Sequence, residues 1–253
     1  MAEYVYDSGG PLFHVGRYVL MVKRSIAKPE KAIMYWKETL RQMYNIGVGS
    51  VVIILLISFF IGAVSSFQFA YNLSKSMVPM YYVGYVVKES MILELAPTVS
   101  CLILAGKVGS NLASELGTMR LTEQIDAYEI MGVNTFSYLI GPKILAAITM
   151  VPFLVSISAI TGIWGGMVSG SLSGYVSSTD YLQGVLMTFV AKNIFVMLVK
   201  SAVFGFLLTS ISCYQGFYAH GSALEIGKAS TTAVVLSCVM VLFADLVLAW
   251  LLL

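Results

Sequence analysis

Charged residues are scarce in this sequence. They make up 11% of its 253 residues, whereas soluble domains carry about 25%. Hydrophobic residues reach 58%, and the mean hydropathy is +0.85. So little polar surface excludes an ordinary soluble domain and predicts an integral membrane protein. The length suits one compact membrane domain and leaves no room for a second folded domain of ordinary size.

Residues that could carry out chemistry are also few. The three cysteines, Cys101, Cys213 and Cys238, lie in apolar surroundings without the spacing of metal ligands, so we interpret them as small buried hydrophobic residues. The two histidines, His14 and His220, have no visible serine or carboxylate partner, and no Gly-x-Ser-x-Gly motif is present. We therefore expect no catalytic site and no metal site in this chain.

A nucleotide-binding loop is missing as well. The nearest candidate, residues 221–229, has one residue too many between its glycines. It also has Ala229 at the position where a serine or threonine must bind magnesium. We expect no cofactor in this chain; if ATP drives the protein, a partner subunit binds both ATP and magnesium.

Five apolar segments are long enough to cross a membrane, which takes about 20 residues each. They are, in approximate numbers, 48–70, 90–112, 144–172, 185–212 and 229–253. The predicted fold class is therefore an all-α integral membrane protein with five transmembrane helices. Seven lysines and arginines precede the first segment and none lies in 174–184, which predicts a cytoplasmic N-terminus and an outer C-terminus.

The N-terminal segment, residues 1–45, is predicted to be a separate amphipathic unit in front of a permease domain at 46–253. Apolar residues alternate there with Arg17, Lys23 and Arg24, which is typical of a helix in the membrane interface that ends near Pro29. An ordinary solvent-exposed cytoplasmic helix is the alternative.

Several ionisable residues fall inside the predicted spans, where each costs about 2.5–3.5 kcal/mol at the helix centre. Glu94 and Lys200 have two open interpretations: a polar lining for an amphiphilic cargo, or structural ion pairs such as Lys200 with Asp245. For Lys107 and Lys192 we favour structural or interfacial roles, with Lys107 reaching the headgroups.

The third span carries glycines at four-residue spacing, which allow close helix packing: Gly162, Gly166, Gly170 and Gly174. We expect this stripe to pack within the chain rather than against a second copy. Pro152 in the same span is expected to kink or loosen the helix.

A short acidic helix is predicted between spans two and three. Thr122 is the expected N-cap and Gly132 the C-terminal stop. Spacing places one set of residues on an acidic face and another on an apolar face: Glu123, Asp126 and Glu129, and Ile125, Tyr128 and Met131. Such a helix fits a groove of a partner protein; a solvated helix on the membrane surface is the alternative.

Residues 94–132 resemble the MlaE-type permeases, the membrane subunits of ABC transporters that work with MCE proteins on lipids. The matching pieces of this stretch are Glu94-Leu-Ala-Pro97, Ala105-Gly-Lys-Val-Gly-Ser110, Glu115-Leu-Gly-Thr-Met119, Thr122-Glu-Gln-Ile-Asp-Ala127 and Met131-Gly132. Later pieces also match: Pro142-Lys143, Gly162-Ile-Trp-Gly-Gly166, Val199-Lys-Ser201 and Ala229-Ser-Thr-Thr232 with Ala233-Val-Val235. The resemblance extends from about residue 47 to the C-terminus.

This resemblance implies a homodimer in a bacterial inner membrane, two cytoplasmic ATPase subunits, an MCE-domain protein on the outer face and a phospholipid pocket between the permeases. It places Glu94 and Lys200 in the pocket, although Asn193 stands where some relatives have an acid, which leaves the counter-charge of Lys200 open. Residues on or near the coupling segment, about 114–132, are Glu115, Arg120, Glu123, Asp126 and Glu129.

Two other functions stay open from sequence. An ion-driven secondary transporter would use titration of Glu94 and Asp245, but five spans do not divide into two repeats. A non-transporting membrane anchor for a lipid-binding protein is the third hypothesis.

Overall fold

The computed structural model describes residues 10–25, 32–75, 78–219 and 221–252. These residues form helices joined by short connections, and no strand occurs among them. Within this described part, five helical stretches are long and apolar enough to cross a membrane: Ile33–Leu73, Tyr82–Leu121, Phe136–Leu172, Ala191–Phe217 and Ala223–Leu252. The predicted all-α membrane fold with five spans is confirmed.

The helices follow one another along the chain as α1 (Pro11–Ser25), α2 (Ala32–Ile46), α3 (Val48–Leu73), α4 (Tyr82–Ser90), α5 (Ala96–Leu104), α6 (Ser110–Leu121), α7 (Gln124–Ile130), α8 (Gly141–Leu172), α9 (Ser178–Leu186), α10 (Ala191–Phe217) and α11 (Ala223–Leu252). Two π-helical turns, Met91–Leu95 and Ala105–Gly109, join α4, α5 and α6 into span two. A third π-helical turn, Phe136–Ile140, leads into α8.

Two predicted boundaries were wrong in ways that matter for function. The fourth span begins at Ala191 rather than near residue 185, because Val190 adopts an extended backbone and separates the span from the short helix α9. The second span begins at Tyr82 instead of residue 90. Glu94 therefore lies well inside this span and not near its end.

The five spans alternate in direction, which gives the bundle two edges. The first edge carries the start of α3, α7 and the turn between α10 and α11, and the second edge carries α9. The predicted N-terminal segment contains two helices within its described residues, α1 and α2, rather than one. Residues 26–31, which include Pro29, lie outside the described part.

Helix α1 is attached to the first edge by hydrogen bonds to α10. Tyr18 Oη lies 2.7 Å from Ser210 Oγ, and His14 Nδ1 lies 2.9 Å from Tyr214 Oη. The guanidinium of Arg17 lies over the ring of Tyr218, 3.6 Å from its centroid. The opposite face of α1 is apolar and exposed: Leu12, Phe13, Val15, Val19 and Leu20. This arrangement fits a helix lying in the membrane interface.

Helices α3 and α8 pack closely through small residues on both sides. A Cβ atom added to Gly62 on α3 would lie 1.8 Å from the carbonyl oxygen of Gly162 on α8. Gly166 and Gly170 also face α3, where Ser66 is their neighbour. The buried face of α3 repeats every four residues: Ser50, Ile54, Ser58, Gly62, Ser66 and Ala70. The glycine stripe of α8 thus packs within the chain.

Gly174 is not part of that stripe. Helix α8 ends at Leu172, and Gly174 follows it with a φ of +71° in a turn where an added Cβ would meet nothing within 4 Å. Its four-residue spacing from Gly170 has no packing role; the glycine provides the left-handed backbone of the turn. Gly165 approaches α3 instead, since its Cβ would lie 2.3 Å from the carbonyl oxygen of Phe59. Helix α8 continues without a break through Pro152.

Candidate functional site

A cluster of three ionisable side chains lies inside the bundle. The ammonium of Lys200 is fully buried, with its Nζ 2.8 Å from Asp245 Oδ1 and 3.1 Å from Glu94 Oε1. Nζ also donates a hydrogen bond to the carbonyl oxygen of Leu93 at 3.1 Å. Three oxygen atoms therefore surround the one ammonium, and the counter-charge that the sequence left open comes from two carboxylates.

Three different spans hold this cluster together. Glu94 belongs to the π-helical turn Met91–Leu95 of span two, Lys200 to α10 and Asp245 to α11. The hydroxyl of Thr98, one turn beyond Glu94, donates to Asp245 Oδ2 at 3.0 Å and orients that carboxylate. π-Helical turns are rare in proteins, and those that occur are often found at functional sites. Asn193 lies apart from the cluster and donates to Glu89 Oε2 at 2.5 Å.

Exposure within the cluster is uneven. The side chain of Lys200 is 0% exposed and that of Asp245 14%, whereas that of Glu94 is 46% exposed. With all three groups ionised, the cluster carries one net negative charge. Lys200 thus forms the ion pair with Asp245 that was one of the two open interpretations. Of the two carboxylates, that of Glu94 is much the more exposed. The lipid-binding roles of Glu94 and Lys200 stay predictions.

The short helix α7 lies between spans two and three, as predicted, but its beginning differs. Helix α6 continues to Leu121, so Thr122 ends α6 rather than capping α7. Glu123 precedes α7 with a left-handed backbone, φ 56°, and makes no side-chain capping bond. The C-terminal stop is Gly132, with φ +80°. The N–H of Gly132 donates a hydrogen bond to the carbonyl oxygen of Glu129, and the N–H of Val133 donates one to the carbonyl oxygen of Tyr128. This pair of hydrogen bonds is a Schellman motif.

Ion pairs within the chain engage much of the predicted acidic surface. Arg120 Nη1 lies 2.7 Å from Asp126 Oδ1, and the buried Lys143 Nζ lies 2.6 Å from Glu115 Oε2. Glu129 Oε1 accepts a longer hydrogen bond, 3.4 Å, from Thr135. The pair of Arg120 with Asp126 attaches α7 to the end of α6. The pair of Lys143 with Glu115 attaches α6 to the start of α8. The coupling role of all of these residues stays a prediction.

The apolar residues of α7 divide into an anchor and an exposed tip. Ile125 is fully buried in a cluster with Leu116 and Ile140. Ile130 is 87% exposed and Met131 66% exposed at the C-terminal end. The sequence grouped Ile125, Tyr128 and Met131 on one apolar face. Ile125 packs into the bundle and the ring of Tyr128 lies 5.7 Å from that of Tyr138, but Met131 is exposed. Glu123 is exposed at the other end of the helix.

The remaining candidates have structural surroundings. Lys107 donates a hydrogen bond from Nζ to the carbonyl oxygen of Gly49, near the start of span one. Lys192 is exposed in the first turn of α10. Cys101 and Cys213 are buried and Cys238 is half-buried. His220 lies outside the described residues. Across the described ranges, no three histidine, cysteine or acidic side chains stand together as metal ligands.

Comparison with known proteins identifies the family. Residues 39–251 match the family described as Permease MlaE. The chain belongs to the MlaE permease family. This family membership confirms the resemblance on which the sequence expectations rest, and it identifies the chain as a multi-pass membrane permease of an ABC transporter.

Three relatives illustrate the range of the family. The probable ABC transporter permease protein RP096 of Rickettsia prowazekii is 35% identical over 231 residues, which is 91% of this chain and 89% of that protein. The probable ABC transporter permease protein slr1045 of Synechocystis is 34% identical over 220 residues, or 85% and 81% of the two chains. The chloroplastic protein TRIGALACTOSYLDIACYLGLYCEROL 1 of Arabidopsis thaliana is 30% identical over 251 residues, or 98% and 71%.

Sequence reasoning missed some contributors to these sites. Thr98, which orients Asp245, gave no signal because a lone threonine in a span has many roles. The small residues of α3 did give a sequence signal, because they follow the same four-residue spacing as the glycines of α8: Ser58, Gly62, Ser66 and Ala70. Reading the two stripes together would have predicted the contact between spans one and three.

Proposed function

We propose that this chain moves phospholipid across or out of the membrane as the permease of an ABC transporter whose ATP is hydrolysed by a separate subunit. One observation carries the proposal: a half-exposed carboxylate, Glu94, stands inside a membrane span beside a fully buried lysine. A structural ion pair alone would be expected to bury both partners. The exposed carboxylate therefore indicates a polar-lined path.

The surface around Glu94 needs a cover. A carboxylate facing lipid tails is costly, so such groups face a bundle interior or a wet cavity. Helix α11, which carries Asp245, is exposed along most of its length, and from Val235 onward its exposed side chains are apolar: Val235, Val239, Leu242, Phe243, Leu246 and Trp250. A homodimer across this face would cover α11 and enclose a pocket with Glu94 at its polar end.

A phospholipid suits such a pocket. The apolar side chains of α11 would contact acyl chains, and Glu94 would accept hydrogen bonds from an ammonium or hydroxyl group of the head. The Arabidopsis relative carries the name of a galactolipid, which supports a lipid as the cargo. Lys200 is enclosed by oxygen atoms of the chain and serves to hold Glu94 and Asp245 in place.

The motor is a partner protein in this proposal. Helix α7 presents Ile130, Met131 and Glu123 at the first edge, where a groove of a cytoplasmic ATPase would bind them. The ion pairs that tie α7 to α6, and α6 to α8, would transmit its movement to spans two and three. The excess of lysine and arginine before span one supports a cytoplasmic location for this edge.

The remaining parts of the proposal rest on the family. An MCE-domain protein would accept or deliver lipid at the second edge, and the complex would lie in the inner membrane of a bacterium with an outer membrane. The chain itself would catalyse no reaction and would hold no ATP, magnesium or other cofactor.

Transport by the reconstituted complex tests the proposal. The permease and its ATPase would be placed in liposomes with a fluorescent phospholipid, and transfer to an acceptor protein would be followed. We expect transfer to stop without ATP and to continue with a protonophore; the reverse would establish the ion-driven alternative.

A pair of variants tests the carboxylate itself. Glu94→Gln should lower the transfer rate, whereas Asp180→Asn, an exposed acid on α9, should leave it unchanged. Full transfer by the Glu94→Gln complex would contradict the assignment of the pocket. A complex that binds its partners but transfers no lipid at all would indicate the membrane anchor.

A further inference from the structure

A second polar site lies at the first edge, away from the central cluster. A groove of about 690 Å³ opens between the junction of α2 with α3 and the length of α6. Its polar lining consists mainly of uncharged side chains: Gln42, Asn45, Ser50, Asn111, Ser114 and Thr118. Apolar side chains, among them Ile46, Val108 and Leu112, form the rest of its wall. A groove of this mixed character fits an amphiphile better than a protein side chain or a purely apolar molecule.

Lys107 gives this groove its charge. Its ammonium donates to the carbonyl oxygen of Gly49, and no carboxylate of the described residues lies within ion-pair distance of it. Glu115, the acid in the groove wall, is instead paired with the buried Lys143 at 2.6 Å. An ammonium has three donors and only one is used by Gly49. The groove therefore has donors and a positive charge available for an anion.

Two further observations indicate a ligand. Ser50 lines the groove and is fully buried, and its hydroxyl finds no hydrogen-bond partner among the described residues. Such buried hydroxyls are normally partnered, because leaving one unpaired costs free energy. Lys107 also belongs to a π-helical turn, Ala105–Gly109, as Glu94 does in the other half of the span. The two charged side chains between Met91 and Gly109, Glu94 and Lys107, thus both lie in π-helical turns.

The groove lies level with the beginning of the apolar segment of span one, which is the depth at which lipid headgroups are expected. Lys107 contacts Gly49, the second residue of α3, so its ammonium is level with the beginning of the apolar segment 48–70. From there span two continues for about 20 Å to Leu121, at 1.5 Å per residue. Glu94 lies a similar distance, about 20 Å, on the other side. The groove and the central cluster are separate sites.

We propose that this groove binds the phosphate group of a phospholipid from the leaflet at the first edge. The phosphate oxygens accept hydrogen bonds from Lys107 and from nearby hydroxyl and amide groups, including Ser50, while the apolar wall contacts the glycerol and upper acyl carbons. The site goes beyond the proposed transport function, because it would be occupied by a membrane lipid whether or not ATP is hydrolysed. Its recognition chemistry is that of a phosphate, which a soluble anion could also supply.

Site-directed crosslinking tests this proposal. The full chain would be placed in nanodiscs of phosphatidylcholine with a minor fraction of phosphatidylglycerol that carries a photoactivatable group on its head. After illumination, crosslinked peptides would be mapped by mass spectrometry. We expect crosslinks in residues 42–50 and 107–119 and about a tenfold loss of them in Lys107→Gln, as the removal of a charged hydrogen bond predicts.

Matched variants and competitors separate the outcomes. Lys228→Gln changes an exposed lysine of α11 at the same edge and should leave the crosslinks unchanged. Glu94→Gln should also leave them unchanged, so a failure of the transport proposal would not affect this test. Crosslinks that are abolished by inorganic phosphate but not by an excess of unlabelled phosphatidylglycerol would identify a soluble anion as the ligand and would overturn the assignment to a lipid. Absence of crosslinks in the groove, or equal crosslinking in Lys107→Gln, would overturn the site.

Discussion

Lys200 on α10 and Asp245 on α11 form a buried ion pair, with Nζ and Oδ1 2.8 Å apart, and Glu94 is the second carboxylate on the same ammonium. Two acids and one base inside a membrane bundle are stable only as a unit. Each charge is tolerated because the others are present, so the effect of losing one depends on which remain.

Removing Lys200 alone should therefore be strongly destabilising. Lys200→Met leaves the Asp245 carboxylate almost enclosed and without its ammonium, and we expect a loss of about 3–5 kcal/mol in the free energy of unfolding. Thermal unfolding of the purified chain in detergent would measure the change.

The double variant Lys200→Met with Asp245→Asn is the control for this effect. It removes the buried negative charge together with its partner, and well-packed neutral replacements of a buried pair are often close to neutral. We expect it to regain most of the lost stability. A double variant no more stable than Lys200→Met would show that Lys200 acts by packing and not by charge.

The contact between α3 and α8 predicts a large effect from one methyl group. Gly62→Ala would place a Cβ 1.8 Å from the carbonyl oxygen of Gly162, so the two helices must separate. Overpacking of this kind costs about 1–3 kcal/mol or more. Gly227→Ala on α11, where nothing lies within 4 Å of the added Cβ, should be neutral or slightly stabilising. Equal unfolding temperatures for the two variants would contradict the close contact.

Much of this fold could be predicted because the membrane imposes simple rules. Span number followed from apolar length, and the packing of Gly162 and Gly166 followed from small residues at four-residue spacing. Gly174 has the same spacing but lies in a turn, since a repeat in sequence does not report where a helix ends. The start of span four was also wrong, because an uncharged connection such as 187–190 looks like part of a span.

The sites were harder to predict because they depend on local backbone. Lys200 with Asp245 was one of two open alternatives, but the participation of Glu94 depends on a π-helical turn, which shifts the face of every later residue by about one position. Threonine is a common N-cap residue, but α6 continues to Leu121, so Thr122 is the C-cap of α6 and not the N-cap of α7. Neither backbone feature has a clear sequence signature.

Attachment of α1 to the bundle should depend on pH through Tyr18. Burial raises the pKa of Tyr18, and its hydrogen bond to Ser210 partly opposes the rise. Ionisation of Tyr18 favours the detached or unfolded chain. The contribution of Tyr18 to the free energy of unfolding is therefore fully present below the pKa that tyrosine has in the unfolded chain, about 10. This stabilisation is lost as pH rises through the folded value.

Unfolding temperatures at pH 8 and pH 11 would measure this contribution. Tyr18→Phe should lower the free energy of unfolding by about 1 kcal/mol at pH 8, because the hydrogen bond is missing, and by less at pH 11. Tyr44→Phe on α2, where the ring is exposed, is the matched control and should be unchanged at pH 8. A loss in Tyr18→Phe that is equal at both pH values would contradict the role of its ionisation.

The exposed tip of α7 should decide binding of the ATPase. Ile130 is 87% exposed, so Ile130→Asp should leave the unfolding temperature of the permease unchanged. At an interface the same change removes an apolar anchor and introduces a charge, which typically costs at least about 2 kcal/mol and hence more than tenfold in affinity. Glu123→Lys should weaken binding as well. Co-purification of the two subunits would measure both.

Two other variants separate docking from folding. Asp126→Asn removes the ion pair with Arg120 inside the chain, so it should lower the unfolding temperature of the permease in the absence of the ATPase. Leu224→Asp changes an exposed apolar residue at the same edge but outside α7, and should preserve co-purification. If Ile130→Asp retained the ATPase at full yield, or Leu224→Asp lost it equally, α7 would not be the docking element. Loss confined to Ile130→Asp and Glu123→Lys at unchanged stability would assign ATPase docking to this helix.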